Sequence, residues 1–262
     1  MERALLKITK GIAEVTLNRP NKRNALDLLM FKELTAIGEQ LLETPEARVV
    51  ILRGEGSAFC AGLDFMSMMS LKDGVDQLLF RDGQSPANCA QRVAWIWHEL
   101  PMPVIAVLHG AVFGGGLQIA LGADMRFSTA DAQLSVMETK WGLCPDMTLS
   151  QTLPKLVGLD VAKWLTYTGD IVDGTRAHQL GLVTQLSDDP LQMAREVAQQ
   201  IADRSPHAIR ACKTLLNEGP ASSVEEAFEL EEKLQRQLIG SANQLEAVQA
   251  NFMKRPPKFT NP

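Results

Sequence analysis

Two carboxylates eight positions apart, Glu138 and Asp146, follow a triple glycine, Gly114-Gly115-Gly116, in a stretch otherwise dominated by apolar residues. A carboxylate near a glycine turn that presents backbone N–H groups suits proton transfer at a carbon next to a carbonyl. The carboxylate takes the proton and the N–H donors hold the charge that moves onto oxygen. Each acid also has a plainer reading. Glu138, in Ser-Val-Met-Glu-Thr-Lys-Trp-Gly, suits a solvated loop carboxylate or a partner for Lys140. Asp146, after Pro145, suits the N-cap of a helix beginning near Thr148.

Other chemistries find little support. There is no G-x-S-x-G nucleophile elbow. His109 directly follows an apolar run and reads as structural, and His98, His178 and His207 read as surface residues. Neither G-x-G-x-x-G nor a Walker A motif is present, and no His, Cys and carboxylate cluster has metal spacing, so neither a cofactor nor a metal is expected.

The elements that must position the two acids centre on Pro103 to Ala120. Val104–Leu108 is uncharged and rich in β-branched residues, which predicts a strand covered on both faces. The glycines permit positive φ and close backbone approach, and a helix starting there points its free N–H groups and positive dipole end at whatever sits in the turn. With no Lys or Arg in the stretch, the natural client is a transient oxyanion. Close helix–strand packing is the structural alternative for the glycines. A membrane span is disfavoured by His109, Gln118 and the glycines, and by the lack of flanking basic clusters.

The 262 residues can bury a core in one domain, or in one domain plus an appendage. A net charge of −5 disfavours nucleic acid as the main partner. Cys60, Cys89, Cys144 and Cys212 are scattered, which fits a reducing compartment. The N-terminus lacks a signal-peptide pattern, so the expected location is cytoplasmic. Ala4–Ile8 and Ile12–Leu17 read as a hairpin turning at Lys10-Gly11, and Asp27 as the N-cap of a helix to about Glu43. Residues 65–85 have weak periodicity, and their methionines read as core filling somewhat better than as a wall for an acyl group. Strand–helix alternation gives way to helix after Leu191, which predicts an α/β core with a helical C-terminal region. We place the core at residues 1–200 and the helical region at 201–262.

Several separated motifs resemble one family, the crotonase (enoyl-CoA hydratase/isomerase) family, over nearly the whole chain. They are Leu17-Asn18-Arg19-Pro20 with Asn24-Ala25-Leu26, Ala58-Phe59-Cys60-Ala61-Gly62-Leu63-Asp64, His109 to Gly116, Gly122-Ala123-Asp124, Gly142 with Pro145, Thr168-Gly169, Ala177, Gly181-Leu182-Val183 and Phe252 to Pro257. The resemblance implies a spiral core of ββα units, a helical C-terminal region that makes homotrimers or hexamers, and an acyl-CoA thioester as substrate, with coenzyme A part of the substrate and no separate cofactor. It places the oxyanion-hole N–H groups at Leu63 and Gly115. Arg23, Ala25, Ala61 and Asp64 map to the region that holds the CoA nucleotide end, where Lys22 and Arg23 offer charge to phosphates. Each preorganised donor favours an enolate by about 3 kcal/mol.

The chain departs from the hydratase pattern at one position. Hydratases of this family use two glutamates; here the first position is Gln118 and the second is Glu138. An amide is no general acid or base, so the resemblance points to double-bond isomerisation, with Glu138 as principal base, Asp146 as a second proton-transfer group, and Gln118 as a polar wall or water-holding residue in the substrate site. A hydratase of altered efficiency, nucleophilic displacement or hydrolysis through Asp146, and a non-catalytic CoA-binding protein are the alternatives.

Overall fold

The computed structural model describes residues 2–81, 83 and 85–262. Nine strands form two sheets: β1 (Ala4–Thr9), β2 (Ile12–Leu17), β3 (Val49–Gly54), β4 (Val104–Leu108), β5 (Ala111–Phe113), β6 (Met125–Ser128), β7 (Gln133–Ser135), β8 (Val172–Asp173) and β9 (Gln185–Leu186). The larger sheet has the order β1-β2-β3-β4-β6-β9 and the smaller β5-β7-β8. The β1–β2 hairpin turns on Lys10 and Gly11, both at positive φ (51° and 81°), the twist that a two-residue hairpin turn requires. From β2 to β9 every pair in the larger sheet is parallel.

A parallel sheet must be covered on both faces. The alternation of side chains along β3 and β4 accomplishes this. Val50, Leu52, Val104, Ala106 and Leu108 face the main core, which the helices Leu28–Leu42 and Cys89–Glu99 complete. Val49, Ile51, Ile105 and Val107 face the other way, onto the helix Pro190–Ala202. That helix presents Ala194, Ala198 and Ala202 at four-residue spacing, a flat stripe that lets it lie close to the strands. Asp27 caps the first long helix as expected, accepting from the Met30 N–H at 2.9 Å.

The chain repeatedly leaves a strand of the larger sheet and contributes a short parallel strand or bridge to a second layer. After β3 it makes the bridge Cys60↔Val112, after β4 it makes β5, and after β6 it makes β7. The expected spiral of ββα units is therefore present. The switch between β4 and β5 turns at Gly110, where φ is +55° and an added Cβ would stand 2.1 Å from the Ser57 carbonyl oxygen. Only a residue without a side chain fits there.

Of residues 65–85, all but 82 and 84 lie among the described residues, and they include two short helices, Phe65–Met69 and Gly74–Leu79. The core-filling expectation fails for most of the methionines here: Met68 is buried, whereas Met66 and Met69 are about four-fifths exposed (80% and 81%). Short helices with one buried residue each lack an apolar stripe, which is why no helical period shows in the sequence. Three longer helices, Pro206–Glu218, Val224–Leu238 and Ala242–Met253, end the chain.

The first of these is tied to the core by a buried cation. Lys213 donates to the carbonyls of Trp97 and Met102 (3.2 and 3.1 Å) and to Asp124 Oδ2 (2.9 Å), which also accepts from the Val104 N–H. Replacing one partner of such a group strands the others in a dry site. Lys213→Ala is expected to lower unfolding free energy by about 3 kcal/mol in urea titrations; an unchanged midpoint would show that the helix docks without this anchor.

Candidate active site

The second layer of the spiral brings two chain segments out side by side. The Cys60 N–H donates to the Ala111 carbonyl (3.0 Å) and the Phe113 N–H to the Cys60 carbonyl (3.0 Å), so the segments run in the same direction. Three residues beyond Cys60 and Val112 stand Leu63 and Gly115. Gly62 (φ +88°) and Gly114 (φ +51°) turn the two segments immediately before them. Among the described residues, neither the Leu63 nor the Gly115 N–H has an acceptor. Gly115 opens the buried helix Gly115–Leu121, so its N–H lies at the positive dipole end. Two unengaged N–H groups on neighbouring segments can donate together to one oxygen.

Glu138 reaches the same place from β7. The Gly114 N–H donates to the Ser135 carbonyl at 3.0 Å, which seats the glycine turn against the end of that strand, three residues before Glu138. A Cβ on Gly114 would stand 3.2 Å from Glu138 Oε1, so the bare backbone leaves room for the carboxylate. Glu138 lies in the short 3-10 turn Glu138–Trp141, half-buried. It makes no ion pair with Lys140, which is exposed.

Gln118 joins the glycine helix to both acidic segments. Its Nε2 donates to Glu138 Oε1 at 2.6 Å, and its Oε1 accepts from the Met147 N–H at 2.9 Å. The side chain is buried and both ends of its amide are engaged. Glu138 Oε2, in contrast, is buried without a hydrogen-bond partner among the described residues. Burial pushes the Glu138 carboxyl above its ordinary range, and the nearby charge of Asp146 pushes the same way, against the lowering effect of the backbone N–H groups of Glu138 and Met137 and of the Gln118 hydrogen bond.

Asp146 is exposed at the edge of this loop, yet desolvation by its surroundings raises its carboxyl as well. It does not cap the following helix. Leu149–Val157 starts after Thr148, itself in the left-handed region (φ 70°), with no side-chain cap. A threonine at positive φ is unusual, and nothing in the residue pattern signals it.

The four residues mapped to the CoA end also meet. The Ala61 N–H donates to the Arg23 carbonyl, the Leu26 N–H to the Gly62 carbonyl and the Asp64 N–H to the Leu26 carbonyl, at 2.8 to 2.9 Å, so the segments 23–26 and 61–64 form a small ladder. Lys22 and Arg23 are exposed beside it. Asp64 has structural duties there. It caps the helix Phe65–Met69 through Ser67 and pairs with Arg19 at 2.7 Å, and these hydrogen bonds hold its carboxyl down at about 2 against the opposing effect of burial. Asn24, named above only as part of a family motif and given no role there, organises the ladder. It is fully buried at positive φ (55°), its Nδ2 donates to the carbonyls of Glu55 and Ala58, and its Oδ1 accepts from the Arg19 N–H. Asn18, Asn21 and Asn24 share one loop, so residue type alone does not mark Asn24. Trp141 was missed too. Its ring lies 4.9 Å from that of Phe65, linking the segment after Leu63 to the turn that carries Glu138.

His109 is held by its backbone surroundings, with Nε2 3.0 Å from the Gly56 carbonyl. His98 is half-buried against Trp95 and is therefore not the surface residue expected. Among the described residues no group of three or more His, Cys, Asp or Glu is arranged to hold a metal ion. No helix among them is long and apolar enough to cross a membrane.

The family model for enoyl-CoA hydratase/isomerase matches residues 7–262. The chain belongs to the crotonase (enoyl-CoA hydratase/isomerase) family. It is 34% identical to human enoyl-CoA hydratase domain-containing protein 2, mitochondrial, over 98% of this chain and 88% of that protein. It is 30% identical to an enoyl-CoA isomerase/hydratase of Mycosarcoma maydis over 95% of this chain and 93% of that one. The crystal structure of an enoyl-CoA hydratase from Bacillus anthracis superposes with a TM-score of 0.91 at 30% identity, covering 98% of both chains.

The raised carboxyl of Glu138 has a thermodynamic consequence. A group whose pKa is raised by folding adds stability only below its unfolded value of about 4.5, and that contribution is lost as pH rises through the folded value. Glu138→Gln keeps the shape and an acceptor for Gln118 but cannot ionise. Its Tm is expected to exceed the parent's at pH 7, with the gap closing as pH falls from the raised folded value towards 4.5 and gone below it; an equal or lower Tm at pH 7 would contradict the assigned desolvation.

Proposed function

We propose that this family member shifts the double bond of an enoyl- or dienoyl-CoA. The observation that carries the reading is at Gln118. The position where hydratases of the family place their first glutamate holds an amide, and that amide is bonded to the one glutamate that is retained. One carboxylate can both take and return a proton. Adding water across a double bond calls for activating a water and protonating carbon, work that two carboxylates share more readily.

In the proposed reaction the thioester oxygen of a 3-enoyl-CoA accepts hydrogen bonds from the Leu63 and Gly115 N–H groups. Glu138 removes a proton from C2, and the C2–H electron pair becomes the C1=C2 bond of an enolate as the carbonyl pair moves onto oxygen; the carbonyl then re-forms, the C1=C2 pair becomes the C2=C3 bond, and the C3=C4 pair takes the proton back at C4. Between the two transfers the negative charge rests on the thioester oxygen, where the N–H donors stabilise it. Asp146, on the same loop and electrostatically coupled to Glu138, is a second proton-transfer group for substrates whose accepting carbon lies further along the chain. The raised Glu138 carboxyl brings its basicity nearer to that of the carbon acid, as proton transfer favours. Arg23, Ala25, Ala61 and Asp64 frame the region for the CoA nucleotide end. The proposal includes a homotrimer or hexamer, which the apolar side chains exposed on the C-terminal helices, such as Phe228 and Phe252, would suit. It also includes a cytoplasmic location, although the human relative is named mitochondrial.

The hydratase names of several relatives favour a second reading, hydration of 2-enoyl-CoA by Glu138 alone. A substrate panel separates the two. The purified protein is expected to convert 3-enoyl-CoA or 3,5-dienoyl-CoA to a conjugated product without gain of water, and Glu138→Gln to abolish this while acyl-CoA binding, measured by calorimetry, survives. Water addition to 2-enoyl-CoA as the main reaction would establish the second reading instead, and undiminished turnover by Glu138→Gln would remove Glu138 as the base. A weaker effect is expected for Asp146→Asn on 3-enoyl than on 3,5-dienoyl substrates, read as kcat on each.

A further inference from the structure

We infer that Gln118 is a positioning residue that fixes which oxygen of Glu138 carries the migrating proton, reserving Oε1 as an acceptor and leaving Oε2 to react. The inference rests on Glu138 being the base. It follows from the direction of two hydrogen bonds. A backbone N–H can only donate, so the atom of the Gln118 amide 2.9 Å from the Met147 nitrogen must be its oxygen. That choice leaves the NH2 group facing Glu138, with Nε2 2.6 Å from Oε1. An NH2 group can only donate, so Oε1 must accept in both protonation states of Glu138 and cannot direct a proton of its own along that line. A carbonyl oxygen is the stronger acceptor, so when Glu138 is protonated this hydrogen bond favours C=O character at Oε1 and the proton on Oε2.

Oε2 is also the oxygen with nothing else to do. It is buried and has no hydrogen-bond partner among the described residues. A buried carboxylate oxygen without a partner is costly, and a site that tolerates one is suited to receiving a group from substrate. Gly114 adjoins the carboxylate without a side chain, so the space beside it stays open on the backbone segment that leads into the Gly115 N–H. The proton thus leaves C2 for Oε2 and returns from Oε2 to the accepting carbon, with no change of oxygen between the two transfers. Asp146 is the charged group that acts on Glu138; Lys140, on the same turn, is exposed and unpaired with it. Met147 has a part as well, since its backbone holds the amide the right way round. An ionised glutamate at position 118 could not do this, because it would present an acceptor to an acceptor.

The test uses the full-length protein and two substitutions, with a readout that does not depend on which reaction is catalysed. Glu138 is titrated in ligand-free protein by carbon-13 NMR of glutamate carboxyls, its resonance assigned by its disappearance in Glu138→Gln. In Gln118→Leu the donor to Oε1 is lost, the ionised form loses support, and the titration is expected to move to higher pH. In Gln118→Glu, which nearly preserves shape and guards against a folding failure of the leucine variant, two carboxyls share a proton and Glu138 is expected to titrate together with its neighbour in two steps. The acid limb of the kcat profile on 3-enoyl-CoA should move with the titration, with kcat in Gln118→Leu about 10- to 100-fold lower and KM nearly unchanged. A titration and a kcat profile left where the parent has them in folded Gln118→Leu would overturn the inference and make Gln118 a packing residue. A shifted titration in a protein that hydrates 2-enoyl-CoA would uphold the positioning role and discard the isomerase reading.

Discussion

Everything at this site depends on the close backbone crossing at Gly110. The chain leaves the fully buried strand β4 there and passes so near the Ser57 carbonyl that no side chain fits. That crossing lets the segments around Cys60 and Val112 bridge in parallel, and from the bridge both Leu63 and Gly115 emerge after glycine turns. The free N–H groups are held by hydrogen bonds made elsewhere along each segment, so orienting them costs little when a ligand arrives. Preorganised dipoles of this kind stabilise developing charge better than water, which must reorganise to do so.

The acidic half of the site obeys a different economy. Glu138 and Asp146 are both held in surroundings that penalise their charge, and one of the two Glu138 oxygens has no hydrogen-bond partner among the described residues. A fold built for stability alone would not keep such a carboxylate. Gln118 limits the cost by supplying one hydrogen bond, and Met147 in turn fixes Gln118. The amide thereby ties the glycine helix, the Glu138 turn and the loop after Asp146 into one unit, against which the segment 65–81 packs. That segment carries the exposed Met66 and Met69 and touches the acidic turn through Phe65 and Trp141.

Much of this was legible in the sequence because it is local. The Lys10-Gly11 hairpin, the Asp27 cap and the buried strand Val104–Leu108 follow from residue types at short range. The family motifs, read together, extended this to the spiral, for which composition and periodicity carry no signal. What escaped was long-range or conformational. The role of Gln118 depends on a backbone N–H from a residue 29 positions away. Asn24 and Thr148 take positive φ for reasons set by their surroundings, and the Asp64 carboxylate is committed to Arg19 and Ser67. The spiral repeats its backbone without repeating its residues, so no internal repeat marks it in the sequence.

The central claim is that one carboxylate moves one proton within the substrate. It is tested most directly by a single turnover of 3-enoyl-CoA deuterated at C2, with the product's label located by NMR and its mass recorded. The account predicts a conjugated product of unchanged carbon and oxygen content with part of the deuterium at C4, and none formed by Glu138→Gln. A product that has gained water at C3 would contradict it.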